Sequence, residues 1–224
     1  MSVLVVTGGN VDVKTAGRYL CGRRFDHVIA VDAGVLAAEQ MGLSADYLVG
    51  DFDTLGEEGL LQRAKAGVAV RRYDSHKDDT DTEIAVSLAL ELERAKEAGG
   101  AFFPERVVLL GATGTRFDHT LANVFLLELF AKAGISACIV DANNRISVHR
   151  AGFCFPAKGQ FGKYISFLAL TPEVTGLTLR GFCYPLHQHT LLQESSLCIS
   201  NEAAEGELFV DFSAGTLLMA ETMD

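Results

Sequence analysis

Tryptophan is absent from this 224-residue chain, so any ring stacking on a ligand falls to an arginine plane or to another aromatic. Cysteine is scattered: Cys21, Cys138, Cys154, Cys183 and Cys198 are an odd set without a Cys-x-x-Cys spacing. That pattern disfavours a disulfide framework and a structural zinc site, and it fits a reducing cytoplasm. Basic residues are outnumbered, 19 Lys and Arg against 29 Asp and Glu, for a formal net charge of −10. Such an excess argues against nonspecific nucleic-acid binding. No apolar run approaches the length of a membrane span. Met1–Gly9 lacks the basic region and long apolar core of a signal peptide and reads as a first strand, so no membrane association is expected. Neither a Walker A pattern nor a Gly-x-Gly-x-x-Gly fingerprint occurs; a bound nucleotide would be held by another arrangement.

What the chain does have is a hydrophobic content of 49%, enough for a substantial core, and two acidic stretches that a core cannot explain. Gly50-Asp51-Phe52-Asp53-Thr54 ends the apolar run Tyr47-Leu48-Val49 with two carboxylates. In extended backbone, residues two apart point to one side, which would bring Asp51 and Asp53 together. Charges about 4 Å apart at an effective dielectric of about 20 repel by about 4 kcal/mol, and a hard cation such as Mg²⁺ is the natural remedy. A solvated turn after a strand is the plainer alternative. Lys77-Asp78-Asp79-Thr80-Asp81-Thr82-Glu83 then sets four carboxylates at the entrance to a helix. Thr80 and Glu83 fit a capping box and the helix dipole favours some of the charge, but capping needs no more than about two of the four. Asp78, Asp79 and Asp81 are left as candidate ligands or hydrogen-bond acceptors.

From Ser2 to about Ala142, short β-branched runs alternate with amphipathic stretches, the pattern of a parallel sheet with crossover helices. The expected strands are Val3–Thr7, Val28–Asp32, Tyr47–Val49, Val68–Arg71, Val107–Leu110 and Ala137–Val140. One helix follows Thr80 and is closed by Gly99-Gly100; another runs from about His119 to Ala133 and is closed by Gly134. Polar and glycine residues gather after the strands: Gly8-Gly9-Asn10, Asp32-Ala33-Gly34, Asp51 and Asp53, the second acidic stretch, and Gly111-Ala112-Thr113-Gly114-Thr115-Arg116. The carboxyl edge of an open parallel sheet is where ligands bind, so five strand ends are expected to converge on one site. Gly111–Asn123 combines a glycine loop with Arg116, Asp118, His119 and Asn123; amides leading into a helix can cradle phosphate oxygens, and Arg116 offers a planar fork. His119 is either a general base or a structural hydrogen-bonding partner of Asp118. After about Asn144 helical periodicity disappears. Tyr164–Leu170, Leu177–Leu179, Ser196–Ser200, Leu208–Phe212 and Thr216–Met219 read as strands at sandwich-like spacing, with His187 and His189 on a strand or loop between them. The expected architecture is α/β: an N-terminal Rossmann-like domain (1–143) with a mostly parallel sheet of about six strands, then a C-terminal all-β sandwich domain (144–224).

With these stretches in view, the sequence resembles the thiamine pyrophosphokinase (thiamine diphosphokinase) family. Gly50–Thr54 is similar to that family's Gly-Asp-x-Asp-Ser motif, Lys77–Glu83 to its Asp-x-Thr-Asp-x-Glu motif, and Gly111–Asn123 to its Gly-x-x-Gly-x-Arg-x-Asp-His-x-x-x-Asn motif. Gly181-Phe182-Cys183-Tyr184-Pro185-Leu186 and Ser200-Asn201-Glu202 resemble its closing Gly-Leu-x-Tyr-x-Leu and Ser-Asn signatures. Thr54 replaces the usual Ser, Thr115 stands where Gly or Ser is frequent, and any stacking done by Trp in some members must fall here to another group. The resemblance implies transfer of pyrophosphate from ATP to the hydroxyl of thiamine, giving thiamine diphosphate and AMP, in a cytoplasmic homodimer with shared active sites. It implies a nucleotide-binding catalytic domain followed by a thiamine-binding and dimerisation domain. Asp51, Asp53 and Asp81 would hold Mg²⁺, with Asp78 nearby as a catalytic and substrate-binding group and Arg116 as a catalytic cation. Gly8, Asn10, Asp32, Gly34, Gly111, Thr113, Gly114, Arg116, Asp118, His119 and Asn123 would surround ATP, and Ser200 and Asn201 would lie by the thiamine ring. Asp53, Asp78 and His119 remain equal candidates for a base. Two other functions compete: a metal-dependent phosphoesterase, disfavoured by the scarcity of histidine in the acidic stretches, and a non-catalytic nucleotide or thiamine sensor, disfavoured by so many carboxylates.

Overall fold

The computed structural model describes residues 2–52, 56–65, 67–72, 79–94, 105–204 and 206–224. Among the described residues no helix is long and apolar enough to cross a membrane. By its contacts the chain forms two compact units: Met1–Gly99, Arg106–Leu126 and Ile139–Ala142 make the first, and Gly100–Glu105, Leu127–Cys138 and Asn143–Asp224 the second. The fold is mixed α/β, with a largely parallel sheet and a separate antiparallel sheet.

In the α/β unit, β1 (Val3–Val6) pairs in parallel with β2 (His27–Val31) on one side and β5 (Val107–Leu110) on the other. Beyond β2 lie β3 (Tyr47–Gly50) and β4 (Ala69–Arg72), also parallel; β6 (Ala137–Val140) flanks β5. All four residues of β1 and of β5 are buried, because helices cover a parallel sheet on both faces and leave no polar side to alternate with. Helix α1 (Val13–Leu20) begins at Asp12, whose Oδ1 accepts the Thr15 N–H at 2.6 Å. Helix α2 (Gly34–Gln40) follows β2, and α3 (Gly56–Lys65) precedes β4. Helix α4 (Asp81–Arg94) packs on β1, β2 and β3 through a face that buries Ala85, Leu88 and Ala89. The expected cap is present: Thr80 Oγ1 accepts the Glu83 N–H at 3.2 Å. Helix α5 (Phe117–Lys132) starts two residues before its expected beginning; the Gly99-Gly100 stop expected for α4 lies outside the described residues. The strand order reverses between β1 and β5, since the chain leaves β1 toward β2, β3 and β4 and then returns to β5. Loops on the two sides of such a reversal part at their carboxyl ends and open a crevice.

The β unit has two antiparallel layers. One runs β12 (Asn201–Glu202), β9 (Tyr164–Ala169), β14 (Leu217–Thr222), β7 (Asn144–His149); the other runs β11 (Leu186–Leu192), β10 (Glu173–Arg180), β13 (Glu207–Asp211), β8 (Phe153–Pro156). Ile165, Phe167, Leu217 and Met219 of the first layer share one core with Phe155, Val174, Leu177, Leu179, Leu191 and Val210 of the second. Alternation is clear in β13, where Leu208 and Val210 are buried between exposed neighbours, as one-sided packing requires. Three strands, β7, β8 and β12, lie outside the expected set. Ser196–Ser200 is not the strand expected: the Ile199 N–H bonds back to Ser196 O at 3.1 Å and Ser200 takes φ +57°, so the segment is a turn entering β12. Arg145 of β7 is buried against Glu221, with Nε–Oε2 at 2.5 Å and Nη2–Oε1 at 2.6 Å, and lies 3.5 Å from Glu105.

Candidate functional site

A cavity of about 820 Å³ opens at the carboxyl ends of the parallel strands, lined by Gly8 and Asn10 after β1, Asp32 after β2, Asp51 after β3, Asp79–Thr82 around the start of α4, and Gly111–Arg116 after β5. His119, Thr120 and Asn123 of α5 complete its wall. Four strand ends and the start of α4, far apart in sequence, therefore meet at one cavity. Of the predicted site residues, Gly8, Asn10, Asp32, Asp51, Asp81, Gly111, Thr113, Gly114, Arg116, His119 and Asn123 line this one cavity. Asp53 and Asp78 lie outside the described residues. Gly34 is buried and away from the wall: a Cβ there would fall 2.1 Å from Val6 O and 2.7 Å from Thr7 O, so its missing side chain lets α2 start hard against β1.

The acidic turn after β3 is not built as extended backbone. Gly50 has φ +145° and Phe52 φ +62°, while the Phe52 side chain is 1% exposed in a core with Ala30, Val35, Leu48 and Leu60. Strand alternation therefore does not set where Asp51 points; a left-handed Phe52 anchored by burial does. Left-handed backbone costs a bulky residue about 1–2 kcal/mol, a strain that surrounding packing must hold. Asp32 is also left-handed, at φ +46°. Its N–H donates to Val49 O at 3.0 Å and its Oδ1 lies 3.5 Å from the Phe52 N–H. A Cβ on Gly50 would fall 1.8 Å from that same Oδ1, so Gly50 leaves the space that the Asp32 carboxylate occupies.

The glycine loop that lines the same cavity is braced by side-chain hydrogen bonds. Gly111 takes φ +73°. The buried Asn123 donates through Nδ2 to Ala112 O at 2.8 Å, and the Thr113 hydroxyl donates to Asp141 Oδ2 at 2.8 Å. Thr120 Oγ1 accepts the Gly114 N–H at 3.3 Å and donates to Arg116 O at 3.2 Å. Arg116 grips Asp118 through Nε–Oδ1 at 3.2 Å and Nη2–Oδ2 at 2.5 Å, with both side chains about two-thirds exposed. The Arg116 hydrogen bond, then the His119 backbone N–H, lower the Asp118 carboxyl to about 2, and the same contact raises Arg116. Asp118 meets the site through Arg116 and is not itself part of the wall.

Among the described residues no group of three or more His, Cys, Asp or Glu side chains is drawn together as a metal site. Asp51, Asp79 and Asp81 each line the cavity, and Mg²⁺ is ordinarily held by one or two carboxylates while phosphate and water fill its other positions.

Ser200 and Asn201 belong to the β unit. Asn201 is buried; its Oδ1 accepts the Tyr184 N–H at 3.0 Å and the Glu202 N–H at 2.9 Å, and its Nδ2 donates to Tyr184 O at 2.8 Å. The side chain thus clamps the backbone of Tyr184, whose ring stays 68% exposed. Ser200 is exposed, its N–H donating to Ser166 Oγ at 3.0 Å. The two late motifs are one piece of structure, since Cys183 N–H also reaches Glu202 O and Ala204 N–H reaches Gly181 O. Sequence reasoning missed Thr7, Thr82 and Thr120 in the cavity wall and Asp141 behind it. Asp141 had a signal, an acid following a sixth apolar run; Thr120 had only its place one helical turn after Arg116.

Comparison with known proteins is in accord over both units. The family described as thiamin pyrophosphokinase, catalytic domain, matches residues 20–139, and that described as thiamin pyrophosphokinase, vitamin B1 binding domain, matches residues 153–217. Thiamine pyrophosphokinase of Bacillus subtilis (strain 168) is 33% identical over 196 residues, covering 88% of this chain and 87% of that one. The crystal structure of thiamine pyrophosphokinase from Bacillus subtilis superposes with a TM-score of 0.83 at 29% identity over 100% of both chains. That of thiamin pyrophosphokinase from Geobacillus thermodenitrificans gives 0.80 at 31%, over 100% of this chain and 98% of the other.

Proposed function

Since this chain belongs to the thiamin pyrophosphokinase family, we propose that it transfers the pyrophosphoryl group of ATP to thiamine, giving thiamine diphosphate and AMP. The observation that carries this reading is one cavity lined both by the carboxylates Asp51, Asp79 and Asp81 and by a braced glycine loop with Arg116. A triphosphate matches that polarity: the loop and the N-terminus of α5 receive phosphate oxygens, and Arg116 exchanges Asp118 for them. Asp51, Asp53 and Asp81, with Asp78 nearby, would hold Mg²⁺, which would neutralise phosphate charge beside the carboxylates. The thiamine hydroxyl oxygen bonds to the β-phosphorus of ATP while the bond from that phosphorus to the α,β-bridging oxygen breaks. AMP leaves with the bridging oxygen, and the hydroxyl proton passes to a base drawn from Asp53, Asp78 and His119. Positioning and fixed charges supply most of the rate, as in phosphoryl transfer generally.

On this reading residues 1–143 form the nucleotide-binding catalytic domain and 144–224 the thiamine-binding and dimerisation domain. The protein acts in the cytoplasm as a homodimer whose active sites are shared between subunits, and Ser200 and the Asn201-held Tyr184 lie at the thiamine end. The test is a product assay with ATP, Mg²⁺ and thiamine, resolving AMP, ADP, phosphate and thiamine phosphates, on wild type, Asp51→Asn and Asp81→Asn. Thiamine-dependent AMP matched by thiamine diphosphate is expected in the wild type and is abolished in both variants, with their circular dichroism unchanged. Phosphate released without thiamine, or binding without turnover, would replace this reading with a phosphoesterase or a sensor.

A further inference from the structure

We propose that Asp141, at the end of β6, is a positioning residue for nucleotide binding: it accepts the hydrogen bond of the Thr113 hydroxyl and so holds the Gly111–Gly114 loop in its phosphate-receiving shape. The inference rests on the nucleotide reading of the cavity given above.

Asp141 does not line the large cavity, whereas Thr113 does. The link between them is the 2.8 Å hydrogen bond from Thr113 Oγ1 to Asp141 Oδ2, spanning 28 residues of sequence. An ionised carboxylate can only accept, so the bond commits the Thr113 proton to the side away from the ligand. Thr113 then contributes its backbone to the cavity and spends its hydroxyl as a brace. The underside of the loop is tight: Asp141 shares with Asn10, Val11, Gly111 and Val140 a recess of only about 10 Å³, so little can replace it there. The other two braces, Asn123 on Ala112 and Thr120 on Gly114 and Arg116, come from α5, and Asp141 alone of the three comes from the sheet. It therefore ties the loop to β6, which the helix contacts cannot do. A negative charge behind a triphosphate site has a long-range cost, and a charge-assisted hydrogen bond, roughly twice as strong as a neutral one, offsets it.

A double-mutant cycle tests this with Thr113→Val, Asp141→Ala, both together, and Asp141→Asn, which can still accept the hydroxyl. Steady-state constants for ATP and thiamine are measured alongside calorimetric ATP binding and thermal melting. Loss of one such bond is expected to raise the ATP KM and Kd roughly tenfold in each single variant. The double variant should be no worse than either single one, since both remove the same bond. Thiamine KM should stay within about twofold, and Asp141→Asn should recover most of the ATP affinity. Additive effects in the double variant would overturn the proposal, as would a lowered melting temperature with unchanged ATP affinity. Asp141→Asn as damaged as Asp141→Ala, with an altered Mg²⁺ requirement, would make Asp141 a cation ligand instead. A wild-type protein that binds ATP but makes no AMP would sink the transferase reading alone, since the calorimetric cycle still decides the brace.

Discussion

Acidification tests the β unit through His149. Its imidazole is 5% exposed, stacks on Phe153 with ring centroids 3.8 Å apart, and places Nε2 2.9 Å from the Ser147 hydroxyl. Burial disfavours the charged ring and lowers its pKa from 6.5 to about 3. In the unfolded chain the ring regains a pKa near 6.5, so between about 6.5 and 3 the unfolded state holds a proton that the folded state refuses. Stability therefore falls as pH falls through that window, by at most about 1.4 kcal/mol per pH unit, and above it the histidine adds no pH dependence. Integrated from pH 7 to pH 5, the loss is about 2 kcal/mol. His149→Phe keeps a ring for the stack and removes the titration; it also leaves the Ser147 hydroxyl, 2% exposed with its residue, without that partner, at a pH-independent cost of about 1–3 kcal/mol. Urea unfolding of both proteins at pH 7, 6 and 5 should show the wild type losing about 2 kcal/mol more than the variant, so that their stabilities converge. Parallel curves would refute a neutral, buried His149.

Two further outcomes follow from the β unit. Asn201→Ala removes the amide that clamps Tyr184 and takes a partner from three backbone groups, Tyr184 N–H, Tyr184 C=O and Glu202 N–H, for a stability loss of about 1–3 kcal/mol; on the proposed function it also raises thiamine KM while ATP KM holds, and equal changes in both constants would count against that role. Arg145→Leu deprives the buried Glu221 of its cation and should cost about 3–5 kcal/mol in urea or thermal unfolding, a loss below about 1 kcal/mol being incompatible with the buried pair.

The α/β half of the chain was legible because its strands are buried on both faces and appear as short apolar runs. Val107–Leu110 and Ala137–Val140 match their expected limits, and the other four strands shift by no more than one residue at either end. The β unit was harder to read. Strand β7 carries Asn144, Arg145 and His149, and only folding supplies the Glu221 pair and the Phe153 stack that make such residues tolerable inside. Ser196–Ser200 failed for the opposite reason: its composition allows a strand, but the left-handed Ser200 and the Ser196–Ile199 turn prevent one.

By itself the sequence determined the parallel sheet, the placement of acids and glycines after its strands, and the family, because local periodicity and spaced motifs depend on near neighbours in the chain. Tertiary structure alone decided what each of those residues faces. It turned Phe52 inward so that Asp51 lines the cavity, made Gly34 a packing contact, turned Asn201 into a clamp on Tyr184, and set Asp141 behind Thr113. The physical reason is that hydrogen bonds act over about 3 Å of space, and spans of 17 and 28 residues are brought to that range only when the strands pair.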